Sequence, residues 1–183
     1  RGGTVTVHMT GEQRILNPAL RASTGVYVLS SKIMEALVDL DAKGEAAPVL
    51  ATSWQSSADG KTITFNLRKG VKFHSGVNGF TPTRDFNADD VIWSFERMWK
   101  ADHPFAKVSA GAYDYFNDMS MPDLLDSITK TDDHTVVFKL KKPNAPIIAN
   151  LAMDFATIHS AEYADFLMKK CTPEQLDQIP VGT

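Results

Sequence analysis

Apolar and polar residues alternate along Thr62-Ile63-Thr64-Phe65-Asn66-Leu67, the spacing of a strand with one buried face. The pattern predicts Ile63, Phe65 and Leu67 inward, and Thr62, Thr64 and Asn66 outward. Asp59-Gly60 separates this run from Trp54-Gln55-Ser56-Ser57. A tight hairpin turn needs a positive φ, which glycine supplies without a Cβ clash. A second hairpin follows from Ser127–Thr131 and Thr135–Leu140, joined by Asp132-Asp133-His134. Near the start, Thr4-Val5-Thr6-Val7-His8 reads as a first strand that runs into a polar loop ending at Pro18.

Elsewhere the period is helical. Val26, Leu29, Ile33, Ala36 and Leu37 would share one face of a helix capped by Ser23 or Thr24. Asn87 caps an amphipathic helix from Ala88 to Lys100, with Val91, Ile92, Phe95, Met98 and Trp99 inward. Asp89 and Asp90 fall in its first turn, where carboxylates favour the positive end of the helix dipole. Trp93 is offset from the apolar stripe. Pro143 and Pro146 open a helix through about Leu151, and Ser160 caps another, from Ala161 to Lys170. Arg68–Phe86 and Asp102–Pro122 read as long loops. Hairpins and helices without repeated strand–helix crossovers predict an α+β fold.

Composition narrows the function. With 43% hydrophobic and 22% charged residues, the 183-residue chain is built to bury a core. Its apolar runs, such as Ala145–Ala149, fall far short of the roughly 20 residues of a membrane span. A membrane span is therefore set aside, and a net charge of −3 offers no basic surface for nucleic acid or anionic lipid. The single cysteine, Cys171, allows neither an internal disulfide nor a thiolate zinc cluster.

Catalytic chemistry is also missing from the pattern. His8, His74, His103, His134 and His159 are scattered with no i, i+3 or i, i+4 pairing. No phosphate loop, nucleophile elbow or His-Glu-x-x-His motif occurs, so neither an enzyme, a metal nor a cofactor is expected. Asp89 and Asp90 are adjacent on a helix and point about a hundred degrees apart, which denies them paired work. Two segments keep open readings. Ser23-Thr24-Gly25 is either a helix cap or a set of hydroxyls and N–H groups offered to a ligand. Tyr113-Asp114-Tyr115-Phe116 is either a hydrophobic cluster beneath a loop or the wall of a cleft.

Several segments together resemble a known family. Leu50–Trp54, Asp59–Phe65, Leu67–His74 and Phe86-Asn87-Ala88-Asp89-Asp90-Val91 are similar to the extracytoplasmic solute-binding proteins of peptide ABC importers. Pro82-Thr83-Arg84, Tyr113–Met119, Asn150–Ala156 and Pro180–Thr183 resemble the dipeptide-binding branch, and the likeness runs in order along the whole chain. It implies a periplasmic receptor with two lobes that close on a dipeptide or short peptide and then deliver it to a permease in the inner membrane. The full-length receptor would be a monomer without a cofactor. Haem, glutathione, antimicrobial peptides and longer oligopeptides are the alternative ligands on the same scaffold.

By this resemblance, residues 1–30 would form the first strand and cleft turn of lobe I. Residues 31–183 would form its peripheral subdomain and the return toward its sheet, with lobe II outside the chain. Arg1-Gly2-Gly3 leads straight into a strand, and Pro180–Thr183 reads as a turn feeding another, so an N-terminal piece of a longer protein is expected. The resemblance places Ala22, Ser23, Thr24, Gly25 and Tyr113 at the ligand cleft, and assigns the groups that hold the peptide termini to later residues. His8 falls where some relatives carry a paired cysteine, which implies that this disulfide is absent here.

Overall fold

The computed structural model describes residues 3, 4, 6, 8, 11–21 and 23–183. The strand expected over Thr4–His8 therefore falls partly outside the described residues, at Val5 and Val7; Thr4, Thr6 and His8 are exposed.

Helix α1 spans Thr24–Ser30 and is capped by Ser23, whose hydroxyl accepts from the Val26 N–H at 3.3 Å. It is shorter than its apolar spacing predicts. The N–H groups of Ile33 and Met34 both bond back to the Ser30 carbonyl, at 2.9 and 2.8 Å, so the chain turns off the helix axis there. Leu37 is buried, but as the lead-in to strand β1 (Val38–Leu40) rather than as a helical residue. Strand β1 pairs antiparallel with β2 (Ala46–Pro48) in a small hairpin that the sequence pattern does not announce. Its turn is organised by Asp41, whose carboxylate accepts from the N–H groups of Lys43 and Glu45 at 2.8 and 3.0 Å.

The main sheet holds β3 (Ala51–Ser56), β4 (Thr62–Leu67), β5 (Leu125–Asp132) and β6 (Thr135–Leu140), antiparallel throughout in the order β3-β4-β6-β5. Both hairpins expected from the alternation are present, with Gly60 at φ +66° in the first turn. Ile63, Phe65 and Leu67 of β4 are buried, as are Val136, Phe138 and Leu140 of β6. Register sets Ile63 opposite Phe138 and Phe65 opposite Val136, so one face of the sheet is continuous and apolar.

Helix α2 (Ala88–Trp99) covers that face. Phe95 of the helix meets the Phe138 ring edge-on at 5.1 Å, and Phe138 meets Phe65 at 5.4 Å. Within the expected loop between Asp102 and Pro122 lie α3 (Asp114–Asp118) and the start of α4 (Met121–Leu124). Helices α5 (Ile147–Leu151) and α6 (Ala161–Lys169) form where proline and Ser160 signalled them, and the single turn α7 (Gln175–Gln178) follows.

The last residues pack against the start of the described fold. Gly182 passes so close to Ile33 that a Cβ would lie 1.5 Å from its carbonyl oxygen, which leaves glycine alone able to occupy the position. The Gly182 carbonyl accepts from the His74 N–H at 2.9 Å, and Leu16 N–H donates to the Asp177 carbonyl at 2.7 Å. The result is an α+β body with antiparallel sheets, as the pattern predicts.

Candidate functional site

Of the five positions expected at a cleft, Ala22 lies outside the described residues. Ser23 is half-buried with its hydroxyl committed to the cap of α1. Thr24 is exposed, and Gly25 rests against the Gln13 side chain. The capping reading of Ser23 is therefore realised, and Thr24 stands exposed beside it.

Tyr113 is 5% exposed and turned inward. Its hydroxyl reaches the Phe105 carbonyl at 3.5 Å, and the Arg97 guanidinium carbon sits 5.9 Å from its ring centre. Burial pushes its phenol pKa up. Tyr113 also lines a cleft of about 230 Å³ between the end of α2 and the segment from Ala106 to Tyr113, where Lys100 and Lys107 contribute positive charge. Tyr113 thus combines buried contacts to Phe105 and Arg97 with a place in the lining of this cleft.

Arg97 is the residue that the sequence reading missed. It is 1% exposed and paired with the equally buried Asp177 at 2.7 Å. Asn17 donates to the other Asp177 oxygen at 2.8 Å, so three distant stretches meet at one carboxylate. The rings of Trp93, Phe105 and Tyr113 surround the guanidinium at about 6 Å, an arrangement that suits a desolvated cation. Burial works against the Arg97 charge, yet Asp177 more than compensates and its pKa is held above the ordinary value. The offset of Trp93 from the apolar stripe is the one sequence signal, since its ring turns toward His103, Phe105 and His159.

His159 stands beside this pair, fully enclosed. Burial, and then the neighbouring Arg97 charge, lower its pKa to about 4, so the imidazole is neutral at pH 7. Arg97 Nη1, His159 Nδ1 and Thr157 Oγ1 are all buried without a hydrogen-bond partner among the described residues.

Asp90 forms a second buried hub. Both of its oxygens take the Arg84 guanidinium, at 2.6 and 2.7 Å, and they also accept the N–H groups of Asn87 (3.0 Å) and Ala161 (2.9 Å). Asp90 thus does more than favour the helix dipole: it ties the start of α2 to the start of α6.

Neither hub presents a nucleophile with a base, and among the described residues no group of three or more His, Cys, Asp or Glu could hold a metal ion. No described helix is long and apolar enough to cross a membrane. What the arrangement does is tie the two ends of α2 to Ala161, Asp177 and Asn17.

Comparison with known proteins places the chain in a family. The profile described as "Bacterial extracellular solute-binding proteins, family 5 Middle" matches residues 45–183. The dipeptide-binding protein of Escherichia coli (strain K12) is 49% identical over 175 residues, 94% of this chain and 32% of that protein. Heme-binding protein A of Haemophilus influenzae is 49% identical over 170 residues, 91% of this chain and 31% of its own length. Among solved structures, the dipeptide-binding protein of Pseudoalteromonas sp. SM9913 in complex with Met-Leu superposes with a TM-score of 0.87 at 38% identity, covering 92% of this chain and 34% of that one. The chain thus spans about a third of the length of these relatives. It belongs to the family 5 bacterial extracellular solute-binding proteins.

Proposed function

We propose that this chain is part of the first lobe of a periplasmic receptor that captures dipeptides or short peptides and delivers them to an ABC permease. The observation that carries the reading is the likeness, over nearly the whole chain, to a protein solved with Met-Leu bound. Residues 1–30 would supply the cleft turn, with Ala22, Ser23, Thr24 and Gly25 facing the ligand, and residues 31–183 the peripheral body. Tyr113 would be a further ligand-facing position, through the cleft of about 230 Å³ that it lines.

The mechanism is binding without bond chemistry. Hydrogen bonds and charge pairing recognise the peptide main chain, while its side chains sit in a partly wet pocket. Closure follows because the closed form binds the ligand more tightly than the open form does, and the permease reads the closed form. This chain offers one wall of such a cleft, so peptide affinity is expected only in the full-length protein. Micromolar binding of a dipeptide to the 183 residues alone would overturn that division of labour.

The equal identity to a haem-binding protein supports a second reading, the same scaffold with haem as ligand. Native mass spectrometry of the gently purified full-length protein separates the two. Heterogeneous added mass in the dipeptide range is the expected result. A single adduct of haem mass would move the function to the second reading.

A further inference from the structure

Residues Gly76 to Phe80 form a tight loop, closed by the Gly76 N–H on the Phe80 carbonyl at 2.7 Å and the Phe80 N–H on the Val77 carbonyl at 2.8 Å. At its tip, Asn78 and Gly79 both take positive φ, 53° and 77°. Asparagine tolerates this left-handed region better than most residues, and glycine occupies it freely. No other asparagine of this sequence is followed by glycine.

Two contacts hold Asn78 in place. Its Nδ2 donates to the Tyr163 hydroxyl at 2.6 Å, and its main-chain carbonyl accepts from Lys170 Nζ at 3.0 Å. Tyr163 is fully buried, and its hydroxyl in turn donates to the Ile179 carbonyl at 3.1 Å. One hydroxyl thus ties the loop to the end of α7. Gly79 is the opposite case: it is exposed, and a Cβ there would meet nothing within 4 Å. Its N–H reaches only the Gly76 carbonyl, at 3.3 Å. This open nitrogen directly follows an asparagine, whose side-chain carbonyl carbon it can attack once the two meet. At the Asn78 ψ of 18°, the nitrogen lies on the far side of the Cα–C bond from Cβ. The contacts to Tyr163 and Lys170 oppose the rotation that would bring them together.

We propose that Asn78 is a site of spontaneous deamidation whose rate in the folded protein is set by Tyr163. After ψ rotates, the Gly79 nitrogen bonds to Asn78 Cγ and the Cγ–Nδ2 bond breaks. Nδ2 leaves as ammonia, with the proton that the Gly79 nitrogen gives up, and a five-membered succinimide remains. Water then adds to one of the two ring carbonyls and opens the ring. Opening at Cγ leaves aspartate; opening at the main-chain carbon leaves isoaspartate, with the chain running through Cβ. No electrons are exchanged, and water is the sole co-reactant. A carboxylate at this position only accepts hydrogen bonds, so the Tyr163 hydroxyl can no longer accept here while donating to Ile179. The inference does not rest on the nature of the cargo.

The test holds full-length protein at mildly alkaline pH and follows residue 78 by peptide mapping. Deamidation reads as a gain of one dalton, with the aspartate and isoaspartate products separated. The expected result is slow appearance of both in the folded protein, and a rate several times faster in urea, where nothing fixes ψ. Tyr163→Phe keeps the ring and should raise the folded-state rate about fivefold, the effect of one ordinary hydrogen bond. Lys170→Gln, at an exposed position, should raise it about twofold and guards against a folding defect in the first variant. No conversion at residue 78, a folded rate equal to that in urea, or a rate that neither substitution changes would overturn the proposal.

Discussion

Each end of α2 is fixed by an arginine and an aspartate, and the two pairs differ in how completely they are satisfied. At the N-terminal end, Asp90 is fully buried while Arg84 keeps about a third of its side chain in water. Every lone pair of that carboxylate has a donor: the guanidinium fork and two backbone N–H groups. At the C-terminal end, both Arg97 and Asp177 are out of water, and Arg97 keeps one nitrogen without a partner. The first pair resembles an extended helix cap. The second is a buried charge whose desolvation is offset by one strong contact, a hydrogen bond to the Phe105 carbonyl and three aromatic faces.

The largest effect should therefore come from the C-terminal pair. Asp177→Leu strands the Arg97 cation in the core, and loss of one partner of a buried pair typically costs about 4 kcal/mol. Urea unfolding should show it as a lower midpoint with unchanged slope. The double variant Arg97→Met with Asp177→Leu should recover much of the loss, because the uncompensated charge is then gone. If the double variant were no more stable than the single one, the packing around Arg97 would outweigh its charge.

Next comes a pH effect that belongs to the same end. His159 is neutral when folded, with a pKa near 4 against an ordinary value of 6.5. Between those values the unfolded chain binds more protons, so this contribution is complete above about pH 6.5 and is lost as the pH falls toward 4. The difference corresponds to roughly 3 kcal/mol over that window. His159→Gln should flatten the midpoint-against-pH curve there. An unchanged curve would show that the histidine is solvated in the native state.

The contrast between the two ends also explains what the sequence discloses. Asn87 and Asp90 lie three residues apart, and their capping pattern is local, so the start of α2 is readable from the chain. The strands β4 and β6 are equally readable, because burial on one face imposes a period of two. Arg97 and Asp177 are separated by 80 residues, and Asn17 and Asp177 by 160, so nothing local connects them. Helix α1 stops short of its apolar spacing for a related reason. Ile33, Ala36 and Leu37 keep a helical spacing, but tertiary packing buries Leu37 through a turn and a strand instead. At the candidate site, Ser23 was legible as a cap. The inward turn of Tyr113 was not, because its partner Arg97 comes from another element.

A smaller change tests the N-terminal pair. Arg84→Gln removes both guanidinium contacts from Asp90 but leaves the two backbone donors in place. Because Arg84 is partly exposed, its contribution is screened. A loss of about 1.5 kcal/mol is expected, well below that of Asp177→Leu. A loss as large as that at Asp177 would erase the distinction between the satisfied and the strained pair.

The smallest change asks whether the two ends act as one unit. Ser94 lies between them on α2: its hydroxyl donates to the Asp90 carbonyl at 2.7 Å and accepts the His159 N–H at 2.9 Å. Ser94→Ala leaves that buried N–H without its acceptor, at a cost of about 1 kcal/mol. Combined with Arg84→Gln or with Asp177→Leu, it forms two double-mutant cycles. Residues that share a network typically show coupling of about 0.5 kcal/mol or more, whereas independent sites add. Because Ser94 bonds the main chain of Asp90 but stands directly against His159, coupling should appear with Asp177 and be near zero with Arg84. The reverse pattern would mean that stress at the cap travels along the helix, and that the two ends of α2 share one network after all.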